Sequence, residues 1–525
     1  MIHGRYSLLL IATAVLASSQ ATAQLTDLVQ APNPEGAGIA KSLTEQIGAG
    51  VGNWSTPNSS SFIIARDPAR AVRRGRQLFQ LKFTPQQGLG PRANNGVGDI
   101  AHNLAIGAGV SDSCAGCHGR PRGAAGFGGD VVTRPDSRDA PHLFGLGLKE
   151  MLADEMTIEL RSIRERAHQE AARSGTTVSR SLVAKGISFG RITVSPTGAF
   201  DTTGIRGVDP DLRVKPFFAH GGTATIREFV VGAFNDEMGL QAVDPLLARA
   251  ASGAQVTTPT GTLINGATDT VAAPKAQFPM DDPDGDGARN EIPAALVDYM
   301  EFYLFNYFKP GRYQHTTLAR IGLDVMRATG CTSCHTQKLR VDHDRRVADV
   351  ETRHDEARGI FNNLYATASL QITAHDDNSG FPPLKFPNNN PFQVANIFSD
   401  FKRHDIGPAF YERNYDGTLR REFLTTPLWG VGSTAPYGHD GRSVNLREVI
   451  LRHGGEAQSS SNAFARLPEG AKLAVIEYLN TLVLFPPDDT ASNLDPGNPA
   501  NPDFPQRGHG SIKLTVLFNN PLDPE

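Results

Sequence analysis

Two copies of one five-residue pattern, "CAGCH" (Cys114, Cys117, His118) and "CTSCH" (Cys331, Cys334, His335), hold all four cysteines of the chain and constrain its fold more than any other feature. At this spacing each thiol can form a thioether to a haem vinyl group, and the adjacent histidine can offer an axial nitrogen to the iron; C-x-x-C-H is the attachment signature of c-type haem. Disulfides are the ordinary use of cysteine in exported chains. A redox C-x-x-C or a zinc site could also share the cysteines. None of these explains a histidine at the fifth position twice, so two covalently bound haem c groups are expected.

Helical periodicity surrounds both motifs. "RAVRRGRQLFQLKF" (Arg70 to Phe83) and "LARIGLDVMRATG" (Leu318 to Gly330) space apolar residues at helical intervals upstream of the cysteines. A long charged amphipathic helix is expected over Leu146 to Ser174, solvated on one side. Further helices are expected over Ala294 to Phe308, with an aromatic stripe suited to a core, and over Ala471 to Phe485. Lys185 to Lys215 and Gly253 to Ala273 read as small β-rich insertions. The expected fold class is mainly α: two tandem cytochrome c-like haem domains, residues 66–293 and 294–485, with small β-rich or loop insertions. An extended lead-in (24–65) and a loose, Pro- and Asp-rich tail (486–525) flank them.

The chain opens with Arg5, an apolar run from Leu8 to Ala17 and Ala21-Thr22-Ala23, which reads as a secretory signal cleaved after Ala23. A membrane anchor is the alternative, but about ten apolar residues fall short of the roughly 20 a bilayer core needs. A periplasmic protein without a membrane span is expected. With 525 residues, 39% of them hydrophobic, the chain can bury a sizeable core. A formal charge of −4 without a long basic run argues against a nucleic-acid partner.

"TTPLWGVGSTAPYGHDGRSVNLREVILRHGGEA" (Thr425 to Ala457), together with the two haem motifs, resembles the bacterial di-haem cytochrome c peroxidase superfamily over most of residues 65–485. The likeness is greatest to its branch of larger proteins, "di-haem oxidoreductase, putative peroxidase". The superfamily also holds methylamine dehydrogenase maturation enzymes and haem-dependent rubber oxygenases. The resemblance implies that His118 is the proximal ligand of a peroxidatic haem and His335 that of an electron-entry haem. In "GAFNDEMG", Glu237 takes the place of the family's distal acid-base, although the motif is shortened. A carboxylate beside bound peroxide can take a proton from one oxygen and deliver it to the leaving one. A solvated surface carboxylate is the alternative for Glu237. The sixth ligand of the second haem falls on His453 of "REVILRH", where histidine in place of methionine lowers the potential. His439 of "YGHDGR" is the rival, or else a structural hydrogen-bonding residue.

Calcium is also implied. The carbonyls of Thr434 and Pro436 and the side chain of Asp139 in "RDAP" match the family's inter-domain Ca²⁺ site. Asp282, Asp284 and Asp286 in "DDPDGDGARNE" alternate like the first half of an EF-hand loop, but Pro293 stands at the twelfth position, so the choice is between a loop-type Ca²⁺ site and an Asp- and Gly-rich turn.

Three departures from the peroxidases stand out. Residues 119 to 141 contain no histidine to block the first haem, which favours an open distal side, with His142 the nearest alternative ligand. Ala219 and His220 stand where the family has its inter-haem tryptophan, and the chain's tryptophans are Trp54 and Trp429. The insertions exceed what peroxide reduction requires. The expected function is reduction of hydrogen peroxide at the N-terminal haem, with electrons from a small donor protein (a cytochrome c or cupredoxin) or a quinol-linked donor entering at the C-terminal haem. The alternatives are an oxygenase or oxidase using O₂ on an organic or protein substrate, and a pure electron-transfer cytochrome.

Overall fold

The computed structural model describes residues 50–83, 111–119, 125–126, 128, 130–131, 136, 138–306 except 284 and 286, 309–312, 315–354, and 364–483 except 415. The expected signal segment, the tail, most of the loop after the first haem motif, and Asp284 and Asp286 lie outside these residues. The helices are α1 Ser60–Arg66, α2 Pro68–Gln80, α3 Cys114–His118, α4 Leu146–Ser174, α5 Ile226–Asp236, α6 Pro245–Ala251, α7 Ala294–Asn306, α8 Thr317–Ala328, α9 Leu446–Arg452, α10 Gln458–Ala465 and α11 Glu469–Asn480. Among the described residues no helix is long and apolar enough to cross a membrane.

Local chemistry sets the helix starts. Asp67 accepts from the Arg70 amide and Pro68 follows at the first helical position of α2. Thr225 and Glu228 form a reciprocal capping box on α5. The lead-in is not extended to residue 65: Ser59 caps α1, and Ile63 and Ile64 are buried in the core. A polar-looking stretch thus becomes a helix because it carries a cap and an apolar pair. Most residues of α4 from Leu146 to Leu160 are buried, with Ile158 exposed, and beyond them only Ala167 and Ala171 are.

Antiparallel strands 178–184, 187–194 and 200–201 form the first β insertion, which begins seven residues before the expected Lys185, at Val178. Strands 255–257 and 263–265 make the second. More β structure than expected lies between 338 and 424, where strand pairs such as 338–341 with 392–395 and 403–405 with 422–424 are too short to show in the alternation of the sequence. Helices with small sheets make up the fold.

Two helix crossings organise the halves. Gly75 of α2 lies so close to α7 that a Cβ there would sit 2.2 Å from the Tyr299 carbonyl oxygen and 2.4 Å from Tyr303 Cβ. Gly322 of α8 meets α11 in the same way, at 1.9 Å from the Ala474 carbonyl oxygen and 3.0 Å from Tyr478 Cβ. Each pair combines the helix preceding a haem motif with a later helix that closes the half. This moves α7: expected at the start of the second haem domain, it instead packs on α2 and completes the first half. Its aromatic stripe is core, with Tyr299, Phe302, Tyr303 and Phe305 buried. One large core holds α2, α4, α5 and α7, and a smaller one built from Met326, Phe398, Phe464, Tyr478 and Leu479 holds the second half.

Candidate functional site

Both C-x-x-C-H motifs open on one cavity of about 550 Å³ between the two cores. Cys114, Cys117, His118, Cys331, Cys334 and His335 all line it. The first motif is the short helix α3, whose Ser113 cap accepts from the Gly116 amide at 3.1 Å. Gly128 presses on it so closely that a Cβ would lie 1.6 Å from the Cys117 carbonyl oxygen. The second motif is a single turn entered through Gly330 at φ +81°.

Three histidines share one orientation device. His118 donates from Nδ1 to the Pro141 carbonyl at 2.8 Å, His335 to that of Phe398 at 3.0 Å, and His453 to that of Val449 at 2.7 Å. A carbonyl only accepts, so Nδ1 carries the proton and Nε2 keeps the lone pair that a metal needs. Burial favours the neutral ring, lowering His118 and pushing His335 down to about 4, with nearby His453 adding to the shift. Burial drives Cys114 up to about 12 and also raises Cys117 and Cys331. A redox C-x-x-C or a thiolate metal site needs its thiols lowered. Paired thiols beside an oriented imidazole, lining one cavity, suit the tethers and axial ligand of haem c.

The turn and helix along the cavity occur twice. "PFFAHGGTATIREFVVGA" (Pro216 to Ala233) and "PYGHDGRSVNLREVILRH" (Pro436 to His453) align without a gap. The correspondence extends to structure: bridges pair Phe217 with Thr223 and Tyr437 with Ser443, and Thr225 and Asn445 each cap the helix that follows. Ala219 then corresponds to His439, and Ala233 to His453. All four line the cavity. Where the second half presents two imidazoles, the first presents two methyl groups, and Glu237 follows one turn after Ala233 on the same wall.

Glu237 is half-buried at the end of α5, close enough for its charge to act on Cys117. His142, also on the wall, donates from Nε2 to the Trp429 carbonyl at 3.0 Å and leans on Phe144. With Nε2 donating, the lone pair is on Nδ1, which has no hydrogen-bond partner among the described residues. The His439 ring stacks on Phe423 at 4.2 Å, and burial lowers it to about 4. Trp429 is buried in the large core, and Trp54 is half-exposed against Phe386.

Asp139, Thr434 and Pro436 line the same cavity, where the Asp139 amide donates to the His439 carbonyl at 3.0 Å. Asp282 accepts from the Gly287 amide and joins no cluster of three metal-ligating groups among the described residues. The cluster that does form is Cys334, Asp400 and His404. Its centre is an ion-pair clamp: both His404 nitrogens donate to carboxylates, Asp400 at 2.9 Å and Glu456 at 2.8 Å. Sequence reading missed this clamp and Ala233, and set Ala219 against the family's inter-haem tryptophan and not against His439. The paired "P-[FY]…G…[IL]-R-E" runs were the available signal for the alanines.

Residues 329–482 match the family described as "Di-haem oxidoreductase, putative peroxidase", which bears out the resemblance over that span. No curated protein matches the chain. A solved structure described as "Crystal structure of a MauG-like protein associated with microbial copper homeostasis" is similar at 14% identity, covering 64% of this chain and 88% of that one, with a TM-score of 0.25.

Proposed function

We propose, for a chain whose residues 329–482 match the di-haem oxidoreductases, that it reduces hydrogen peroxide at the N-terminal half with electrons that enter through the C-terminal half. The observation that carries this reading is the pair Ala219 and Ala233 in the places of His439 and His453, with Glu237 beside them. Haem c held by Cys114, Cys117 and His118, and a second held by Cys331, Cys334, His335 and His453, would supply redox-active iron at the two ends of the cavity. Two tandem haem domains follow, each closed by its own helix crossing.

The chain's own residues do the rest. The Pro141 carbonyl holds the His118 ring by Nδ1, which leaves the Nε2 lone pair for the iron. The alanines leave room for a molecule the size of peroxide. Glu237 takes a proton from one peroxide oxygen and returns it to the other, so that two electrons and two further protons give two waters. His453 fills the corresponding space in the second half and suits it to electron transfer without turnover. A one-electron donor protein, a cytochrome c or cupredoxin, is the proposed source; a quinol-linked donor is the other. A periplasmic location accords with covalent haem c and with the leader read from residues 1–23. Ca²⁺ is proposed where Asp139, Thr434 and Pro436 line the wall, as hard oxygen ligands suit it.

An oxygenase or oxidase acting on an organic or protein substrate is the second reading, favoured by the strand pair 403–405 and 422–424, whose His404, Phe423 and Leu424 add wall to the same cavity. Absorption and EPR spectra of the purified protein with peroxide, and separately with O₂, decide between them. Peroxide consumption by the reduced protein, slowed about 100-fold by Glu237→Gln, is expected. A spectrum indifferent to both oxidants leaves an electron-transfer cytochrome.

A further inference from the structure

We propose that Lys149 and the N-terminus of α4 form a binding site for an organic carboxylate in the N-terminal part of the cavity. Lys149 sits in the first turn of α4 and lines the cavity together with Leu146 and Phe217, its Nζ 5.3 Å from the centre of the Phe217 ring. Among the described residues it has neither an ion pair nor a hydrogen bond to its ammonium group. Burial alone acts on its basicity, lowering it to about 8.

Lys149 is partly exposed to the cavity, and four buried arginines among the described residues show the contrast. Arg66 meets Asp377 at 2.6 Å, Arg213 meets Asp154 at 2.8 Å, Arg227 meets Asp244 at 2.6 Å and Arg346 meets Asp344 at 2.8 Å. Lys149 faces the cavity with the Phe217 ring as its partner, so its ammonium is left available to an anion from outside the chain.

The helix end points the same way. α4 is 29 residues long, Gly145 gives it no side-chain cap, and its first turn contains no acidic residue. A lysine in that turn adds to the positive end of the helix dipole, where an acid is the stabilising choice. Aligning Leu143-Phe144-Gly145 with Leu428-Trp429-Gly430 puts Thr434 at the equivalent position, so the cation belongs to the N-terminal half alone. Phe217, Leu143 and Leu146 give the charge an apolar border, which suits a hydrocarbon body ending in a carboxylate.

Two sources share this chemistry: a propionate of haem held at Cys114 and Cys117, which rests on the reading above, and a free organic carboxylate. The full-length protein carrying its haem is compared with Lys149→Met and Lys149→Arg, by spectroelectrochemical titration of each haem and by absorption titration with benzoate. For the propionate, Lys149→Met shifts the reduced-to-oxidised equilibrium of one haem about tenfold toward oxidised, 59 mV for a one-electron couple. Lys149→Arg restores it and benzoate changes nothing. For a free carboxylate, benzoate perturbs the wild type and Lys149→Arg, and Lys149→Met binds it at least tenfold more weakly. Unchanged potentials together with benzoate binding that ignores residue 149 overturn the site. Should the purified chain carry no covalent haem, the reading above fails by itself; benzoate binding followed by tryptophan fluorescence, lost in Lys149→Met or not, still decides the site.

Discussion

Ala233 occupies in the first half of the molecule the place that His453 holds in the second, on helices that start from the same turn and bridge. Restoring the ring tests the relationship directly. Ala233→His is expected to give the N-terminal haem a second imidazole, turning its spectrum low-spin and abolishing binding of added cyanide and peroxide turnover. A variant that still binds cyanide as the wild type does would remove the equivalence.

His453→Met carries the complementary expectation. Thioether ligation favours reduced iron, so the potential of one haem should rise and the other stay where it is. If neither potential moves, the ligand is another residue, with His439 on the same wall as the first to examine.

The wall that carries Ala233 and Glu237 is fastened from behind. Arg227 of α5 bonds Asp244 at 2.6 Å and Asp298 and Glu301 of α7 at 2.8 Å each, with all four side chains buried. Removing the cation leaves three buried carboxylates facing one another, so Arg227→Met should cost about 3–5 kcal/mol. Denaturant unfolding followed by circular dichroism measures it; a loss below about 1 kcal/mol would show that the carboxylates are held by other partners.

The His404 clamp gives stability a pH dependence. Burial opposes the charged ring, but the bonds to Asp400 and Glu456 outweigh it and raise His404 from 6.5 to about 11. A group whose native pKa lies above its unfolded value stabilises fully below the unfolded pKa and loses that contribution as pH rises toward the native one. Wild-type stability should therefore decline between pH 6.5 and 11 more steeply than that of His404→Gln. Parallel urea midpoints across that range would contradict the clamp.

Much of this was legible in the residues themselves. The two C-x-x-C-H motifs do line one cavity, and the periodicity of α2, α4 and α8 places those helices within a few residues. α7 was located but assigned to the wrong half, because an aromatic stripe shows that a helix is buried and not which helix it crosses. The crossing is settled by Gly75, whose missing side chain means something only once Tyr299 stands opposite it. His404 looked like any histidine in a strand, since Glu456 lies 52 positions away in sequence. Lys149 hides within a run of helix-forming residues, and only its place on the cavity wall sets it apart.

The crossing of α2 with α7 and the salt link from α7 to α5 share a mechanical consequence. The segment that delivers His118 and the helix that carries Ala233 and Glu237 are anchored to the same central rod, so the opening between them behaves as a fixed gauge. Whatever enters must match that aperture or push aside individual side chains, and widening it would require α7 itself to be remade.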